Sequence, residues 1–379
     1  MKVLFPLLFI SMLTTSLCAQ KPCDEDSLMR IKGKWIHGGG PNANKAKSLE
    51  PIKRLDKMVQ LLQAAYEPTG TEGKFWFNER RDESLIKNGP IPYDLTADFM
   101  EYYCNSYQNK INLKLGDETG DWFFIRANSF GRFAMEDMDF SIENKQVYQL
   151  TAKMGELNSF QLYTGADGNE LQGKKQFSRT ILIARPGQMP YTPVSRKQYL
   201  LTFLKYREDA YQKDIAYELK RPVRSDAEEE IFRKKGYENA GTYAGDEKAK
   251  ALAKSYYLQD YVTDKQSQQK SLKSWESAYQ KDIQPAKDFL ASQSEEELAK
   301  PALLKPGNHK NDFKKFLNEN EGRMLVVVND SYFNSKLPAF MPQFLVVYWM
   351  WGGNKAGVYF GTQVEKNLNL TTLQQLLDK

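Results

Sequence analysis

Closely spaced carboxylates are the first residues of this sequence that could do chemistry. In "MEDMDF", Asp137 and Asp139 would share one face of a β-strand, because alternate side chains of a strand point to the same side. Two acids a few ångströms apart can serve as the acid and base of a glycosidase. Clustered acids more commonly form only a solvated strand edge. Asp137 and Asp139 are therefore the candidate pair of an alternative hypothesis, a carboxylate-dependent hydrolase.

The two histidines, His37 and His309, stand in separate glycine-containing loops. No cluster of His, Cys and acidic residues has the short spacing of a zinc site, so we expect no metal. The loop "HGGG" at 37–40 is similar to an esterase oxyanion loop, but the chain lacks the Gly-x-Ser-x-Gly that presents the nucleophile. The loop also fits a dinucleotide fingerprint, but the preceding "KGKWI" is too short and charged for a buried strand. We expect no cofactor.

Aromatic residues are abundant, with 21 Tyr, 21 Phe and 6 Trp. Exposed rings can stack on sugars, and Trp76, Trp349 and Trp351 are candidates for such a binding surface. In "QFLVVYWMWGG", however, large residues alternate on both faces, which is more typical of a strand buried on both sides. A core role for Trp349 and Trp351 is the favoured interpretation, and "KFWFNERR" around Trp76 has the same ambiguity.

The first nineteen residues have the pattern of a signal peptide, with one lysine, an apolar core and Ala19 before Gln20. We therefore expect a secreted or periplasmic protein. Lipid attachment at Cys18 is not favoured, because Leu17 stands where a lipoprotein signal has a small side chain. No later run is long enough to cross a membrane. Cys23 and Cys104 remain, and they form either one disulfide or a loose Cys23 and a buried free Cys104.

The charges are nearly balanced, with 53 basic and 48 acidic residues, a net charge of +5 and no run of like charge. Nucleic-acid binding needs a concentrated basic surface, so we exclude that class of partner.

The elements that must position these residues follow from hydrophobic periodicity. Ile52, Leu55, Val59, Leu62 and Tyr66 fall on one helix face. Period-two segments from 73 to 185, joined by short turns, predict an antiparallel meander. Residues 195 to about 300 read as helices, with a break or a solvated stretch at "TDKQSQQKS". "RMLVVVND", "QFLVVYWMW" and "KAGVYFG" read as strands before a closing helix, and we recognise no internal repeat.

A proline-rich crossing, "RPGQMPYTPV", connects the meander to the helical section. Pro190 and Pro193 favour extended backbone, and Ser195 with Gln198 has the spacing of a capping box. The crossing is thus predicted to be a structural corner and not a ligand loop.

The sequence predicts an α+β fold, an antiparallel β-meander with an N-terminal helix, a long helical middle section and C-terminal strands that rejoin a sheet. The predicted organisation is a signal peptide over 1–19, an antiparallel α+β domain over 20–190, a helical section over 191–307 and a C-terminal β-rich segment with a closing helix over 308–379.

"RPGQMPYTPVSRKQYL" and "YWMWGGNKAG" with "VEKNLNL" resemble stretches of uncharacterised exported proteins of Gram-negative bacteria. The resemblance covers about thirty residues in two blocks. It implies bacterial export and brings no activity or site residue with it.

The leader, the missing catalytic constellations and the aromatic surplus together favour an exported, non-catalytic binding or interaction protein. Its expected partner is a glycan or a cell-envelope protein. The alternatives are the carboxylate-dependent hydrolase and a scaffold protein built on the long helices.

Overall fold

The computed structural model describes residues 23–38, 49–107, 110–116, 120–164, 176–242, 245–306 and 313–379. The side chains of 49–52, 106–107, 110–111 and 136–139 lie outside this description.

Described helices and strands alternate in blocks along the chain. The helices are α1 Glu25–Leu28, α2 Leu49–Ala65, α3 Arg196–Lys220, α4 Asp226–Asn239, α5 Glu247–Asp260, α6 Asp264–Ser292, α7 Glu295–Ala299, α8 Lys355–Asn367 and α9 Leu370–Gln374. The strands are β1 Trp35–His37, β2 Thr71–Glu79, β3 Tyr93–Tyr107, β4 Lys110–Leu115, β5 Asp121–Ala127, β6 Ala134–Ile142, β7 Lys145–Leu150, β8 Lys153–Leu157, β9 Phe160–Thr164, β10 Gln176–Ile183, β11 Tyr191–Pro193, β12 Leu303–Leu304, β13 Arg323–Val328 and β14 Leu345–Gly352.

The strands form two sheets. The first has the order β1-β2-β3-β5-β14-β10-β9-β8, with β4 paired to β3. The second has the order β11-β13-β7-β6, with β12 paired to β13. All pairs are antiparallel except β1 with β2. The predicted α+β class is confirmed, and β14 rejoins the first sheet between β5 and β10.

Three hydrophobic clusters separate four layers. The first lies between α2, α8, α9 and one face of the first sheet, and includes Leu62, Phe99 and Trp349. The second fills the space between the two sheets, around Phe130 and Tyr348. The third joins the second sheet to α3, α6 and α7. Because each sheet buries both faces, the order of the layers is helices, sheet, sheet, helices.

Local patterns predicted α2 and the start of α3 correctly. Leu55 and Leu62 of α2 and the following Tyr66 are buried as expected, and the side chain of Ile52 lies outside the described residues. Ser195 caps α3, with its hydroxyl accepting from the Gln198 N–H at 3.1 Å, so the predicted capping box is confirmed. The proline-rich crossing additionally contributes β11 to the second sheet.

The prediction of a third C-terminal strand at "KAGVYFG" is wrong, because these residues begin α8. Asn354 caps this helix, and Gly357, Phe360, Gly361 and Val364 form its buried face at three- and four-residue spacing. A Cβ at Gly361 would lie 2.6 Å from the Trp351 ring, so the glycine lets α8 approach the sheet closely.

The predicted strand at 145–154 is also divided, since β7 belongs to the second sheet and β8 to the first. The chain passes between the two layers at Thr151 and Ala152, which alternation of side chains alone does not indicate.

The helical section contains an internal repeat that the sequence analysis missed. "EDAYQKDI" at 208–215 lies in α3, and "ESAYQKDI" at 276–283 lies in α6. The two copies meet: the rings of Tyr211 and Tyr279 stack at 4.4 Å with an interplanar angle of 2°. Each tyrosine hydroxyl donates to the glutamate of the other copy, Tyr211 to Glu276 and Tyr279 to Glu208. The repeat thus locks α3 against α6.

Cys23 and Cys104 lie at disulfide distance, with their Cα atoms 6.3 Å apart. Of the two alternatives for these cysteines, the structure favours the bridge, which ties the segment before α1 to β3. Within the described residues, no helix is both long enough and apolar enough to cross a membrane.

Candidate functional site

The sequence candidates on β14 are core residues. Trp349 is fully buried, and Trp351 is nearly so and stacks on Phe177 at 5.6 Å. Neither ring is available to a ligand, as the favoured interpretation of the sequence expected.

The acidic candidates, Asp137 and Asp139, are on β6, and their side chains lie outside the described residues. The backbone pairing of β6 with β7 shifts register between Glu136 and Ser141. His37 is exposed at the end of β1, where its ring stacks on Phe75 at 5.0 Å, and His309 lies outside the described residues.

Trp76 has a different environment from the β14 tryptophans. It is half-buried on β2, and its ring meets that of Trp122 on β5 at 6.3 Å and 83°. Register explains the pairing: Trp76 lies opposite Thr96 and Trp122 lies opposite Asp98, so the two rings approach across β3. Trp122 also packs against the edge of the core between the sheets.

Polar side chains continue this surface along the strands. We call it the tryptophan face, formed by Trp76, Asn78, Asp94, Thr96, Asp98, Trp122 and Arg126. The fully buried carboxylate of Asp94 lies at one end of this face, in register with Asn78 and Arg126. Its Oδ1 accepts from Asn78 Nδ2 at 2.7 Å and from the Thr96 hydroxyl at 3.0 Å. Three adjacent strands thus hold one another's polar side chains in fixed positions.

Two arginines enclose the other oxygen of Asp94. Arg80 Nε donates to Oδ2 at 2.8 Å, and Arg126 Nη2 lies 3.2 Å from the same atom. Arg126 Nη1 donates to Glu83 at 2.9 Å, and Ser129 Oγ donates to Glu83 at 2.7 Å. Because every charge in this network has a partner of opposite sign, burial of the ions is compensated and the side chains are held rigidly.

A cavity of about 400 Å³ adjoins the network where the two sheets meet. We call it the Arg126 cavity, lined by Glu83, Leu85, Arg126, Ser129, Phe130, Gly131, Arg132, Ala134, Met135 and Tyr148. Gly131 has a φ of +48°, and a Cβ there would lie 2.7 Å from Arg126 Nη1. Glycine at this position therefore leaves room for the guanidinium at the cavity wall.

Asp98 lies toward the other end of the tryptophan face, in register with Lys74 and Trp122. Burial raises the pKa of its carboxyl, while Lys74 acts in the opposite direction. The face therefore offers the acid Asp98 beside Trp122 at one end, the Arg126 guanidinium at the other, and the Trp76 ring between them.

A second buried carboxyl, Asp121, lies on the opposite face of the first sheet. Its Oδ1 accepts from the Gly352 N–H at 2.7 Å, and Asn354 Nδ2 donates to the nearby Glu101 at 2.7 Å. Burial raises the pKa of Asp121 to about 8. These hydrogen bonds fix β14 and the start of α8, so the carboxylates of Asp121 and Glu101 have a structural role.

Sequence reasoning identified Trp76 but missed Trp122, Asp94 and Arg126. Their residue types are ordinary, and only the register of β2, β3 and β5 brings them together. No group of three or more His, Cys, Asp and Glu residues within the described ranges is placed to hold a metal ion. No protein family model matches the chain, and no curated protein or solved structure is significantly similar to it.

Proposed function

We propose that this chain is an exported, non-catalytic binding protein whose ligand is a glycan of the cell envelope. The ligand lies across the tryptophan face and reaches into the Arg126 cavity. The observation that carries this proposal is the half-buried Trp76–Trp122 pair beside a preorganised row of planar polar side chains. Sugar rings present C–H faces that stack on aromatic rings and hydroxyls that bond to carboxylate, amide and guanidinium groups.

The dimensions and hydrogen-bonding capacity of the site support a small polar ligand. Ligand cavities commonly measure about 300–1,000 Å³, and the Arg126 cavity falls in that range. Arg126 is nearly buried, and its Nε has no hydrogen-bond partner among the described residues. Buried donors are normally satisfied, but this N–H is enclosed by protein atoms, so a ligand oxygen reaches it only when the neighbouring side chains move.

Export is supported by the signal-peptide pattern of 1–19 and by the proximity of Cys23 and Cys104. Disulfides persist mainly in oxidising compartments such as the periplasm and the extracellular space. Alkylation of the purified protein without reductant should leave both cysteines unlabelled, and two labelled thiols in the mass spectrum would contradict the bridge.

The spacing of acids on the tryptophan face favours binding over hydrolysis. Asp94 and Asp98 are four residues apart on β3, which corresponds to about 13 Å between their positions along a strand. Glycosidases place their two carboxyls about 5–9.5 Å apart. These two acids are therefore too distant to act as a catalytic pair on one glycosidic bond.

A glycan array and a panel of chromogenic glycosides, both used with the chain purified without 1–19, test the proposal. We expect saturable binding to a subset of envelope glycans and no turnover of any glycoside. Turnover would favour the hydrolase hypothesis with Asp137 and Asp139. Absence of binding to every glycan on the array would contradict the proposed ligand class.

A further inference from the structure

Two helices of the helical section lie outside the four packed layers. None of the residues of α5 is buried, and Glu229 is the one buried residue of α4. Helices α4 and α5 pack against each other, and their contacts with the sheets are at most marginal. Helices of fourteen residues are marginal in water without an apolar face packed against something else.

This α4–α5 hairpin nevertheless carries large apolar side chains in the solvent. Ile231 is 68% exposed, Phe232 51% and Tyr256 56%, and Leu252, Leu258 and Val262 are also exposed. Tyr217 and Leu219 at the adjoining end of α3 extend the exposed apolar set. Concentrations of exposed apolar side chains on a folded protein usually mark an interaction surface.

The hairpin is held firmly at its base. Arg224 donates to both oxygens of Asp264, at 2.6 and 2.7 Å, and Glu229 accepts from the Tyr261 hydroxyl and from the Asp264 N–H. Further along α3 and α6, the stacked rings of Tyr211 and Tyr279 hold these two helices against each other. The apolar side chains are therefore presented on a rigid support.

Charge is segregated along α4. Its first half carries Asp226, Glu228, Glu229 and Glu230, and its second half begins with Arg233, Lys234 and Lys235. Ile231 and Phe232 lie between the two groups. Two copies of this helix packed antiparallel would place each acidic half against the basic half of the other copy. Such self-complementarity is the property that a two-fold interface requires.

We propose that the α4–α5 hairpin is the interface between two copies of this chain, related by a two-fold axis that crosses α4 near Ile231. Pairing about this axis brings Glu228 of one copy opposite Lys234 of the other, and Ile231 meets its own counterpart at the centre. The nearly balanced charge of the hairpin favours a second copy over an anionic membrane or a nucleic acid, both of which require a basic surface.

Sedimentation velocity of the purified chain from about 1 to 100 μM, a range that covers common homodimer affinities, tests this interface. We expect a concentration-dependent dimer. Ile231→Asp should raise the dimer dissociation constant at least tenfold. Val358→Asp, which changes an apolar residue that is 45% exposed on α8, should leave it unchanged. Far-UV circular dichroism spectra like that of the wild type are required of both variants, to show that they remain folded.

Charge reversal provides a stricter test of the antiparallel arrangement. Glu228→Lys places like positive charges opposite each other at positions 228 and 234 of the two copies, and Lys234→Glu places like negative charges there. Each variant alone should be monomeric, and an equimolar mixture should form heterodimers that Ile231→Asp in either component abolishes.

A wild-type chain that stays monomeric at 100 μM, or a dimer that Ile231→Asp does not weaken, would overturn the proposal. A monomeric chain that co-floats with phosphatidylglycerol vesicles in a density gradient would also overturn the proposal, since the hairpin would then be a membrane contact. Glycan binding is read out separately at the tryptophan face, so the failure of either proposal leaves the other open.

Discussion

Removal of the Asp94 carboxylate is the sharpest perturbation of the tryptophan face. The side chain is fully buried and accepts hydrogen bonds from Asn78, Thr96 and Arg80, with Arg126 also within ion-pair distance. Asp94→Ala leaves the nearly buried guanidinium of Arg126 with Glu83 as its remaining carboxylate. It also leaves the Asn78 amide without the acceptor at 2.7 Å.

The expected cost follows from these contacts. Breaking a buried ion pair by removal of one partner costs about 3–5 kcal/mol, because the other charge stays buried. Arg126 keeps Glu83, and the side chain of Arg80 is about one-third exposed, so we expect a value near the lower end, about 3 kcal/mol. A matched control is Glu230→Ala, which breaks the exposed pair with Arg233 and should change stability by less than about 1 kcal/mol.

Urea unfolding, followed by tryptophan fluorescence and by far-UV circular dichroism, measures both variants. The dependence of the free energy of unfolding on urea concentration should be unchanged, so that the midpoint alone reports the loss. An Asp94→Ala variant that loses less than about 1 kcal/mol, or no more than Glu230→Ala, would refute the view that this network holds the face together.

Three further predictions concern other parts of the fold. Gly131→Ala should destabilise the chain by about 1–3 kcal/mol in urea unfolding, because the position has positive φ and the new Cβ would contact Arg126; an unchanged midpoint would contradict this geometry. Burial raises the pKa of Asp121 to about 8, so between roughly pH 4 and 8 the folded chain keeps a proton that the unfolded chain releases. The free energy of unfolding should therefore fall with rising pH, by up to about 1.4 kcal/mol per pH unit from this group. Asp121→Asn should remove that contribution. An equal dependence of the free energy of unfolding on pH in both proteins would count against the buried acid. Ser195→Ala should cost about 1 kcal/mol through loss of the α3 cap, and a loss of glycan binding at unchanged stability would instead make the crossing a ligand loop.

Elements whose signals are local were predictable from the sequence. The apolar spacing of Leu55, Leu62 and Tyr66 predicts α2, and the Ser195–Gln198 pair predicts the start of α3, because a helix face and a cap depend only on neighbours in the chain. The alternation of side chains with a period of two also predicted most of the strands of the first sheet.

Features that depend on long-range pairing were not predictable in this way. The hydrophobic residues of "KAGVYFG" fit two periods over a short window, and the helix is favoured by the Asn354 cap together with the packing of Phe360 and Gly361 against the sheet. The helical repeat occurs just twice, 68 residues apart, which is too few copies to produce a visible period. The structural role of the two copies follows from the stacking of Tyr211 on Tyr279, which the sequence does not show.

The candidate site shows the same limit. Trp76 could be singled out by residue type, but its partner Trp122 is 46 residues away in the chain. Arg126 faces Asp94 because these residues are in register between β5 and β3. Composition gives no information on such a register, so the ionic network of Asp94 and Arg126 could not be predicted from the sequence.

The most direct test of the central claim is a calorimetric titration of a glycan selected from the array into the wild-type chain and two matched variants. Trp76→Ala removes half of the aromatic pair, and Tyr103→Ala removes an exposed aromatic ring elsewhere on β3. The account predicts that Trp76→Ala weakens binding at least tenfold, which corresponds to about 1.4 kcal/mol, whereas Tyr103→Ala binds like the wild type. Equal affinities in all three proteins would contradict the claim that the tryptophan face holds the ligand.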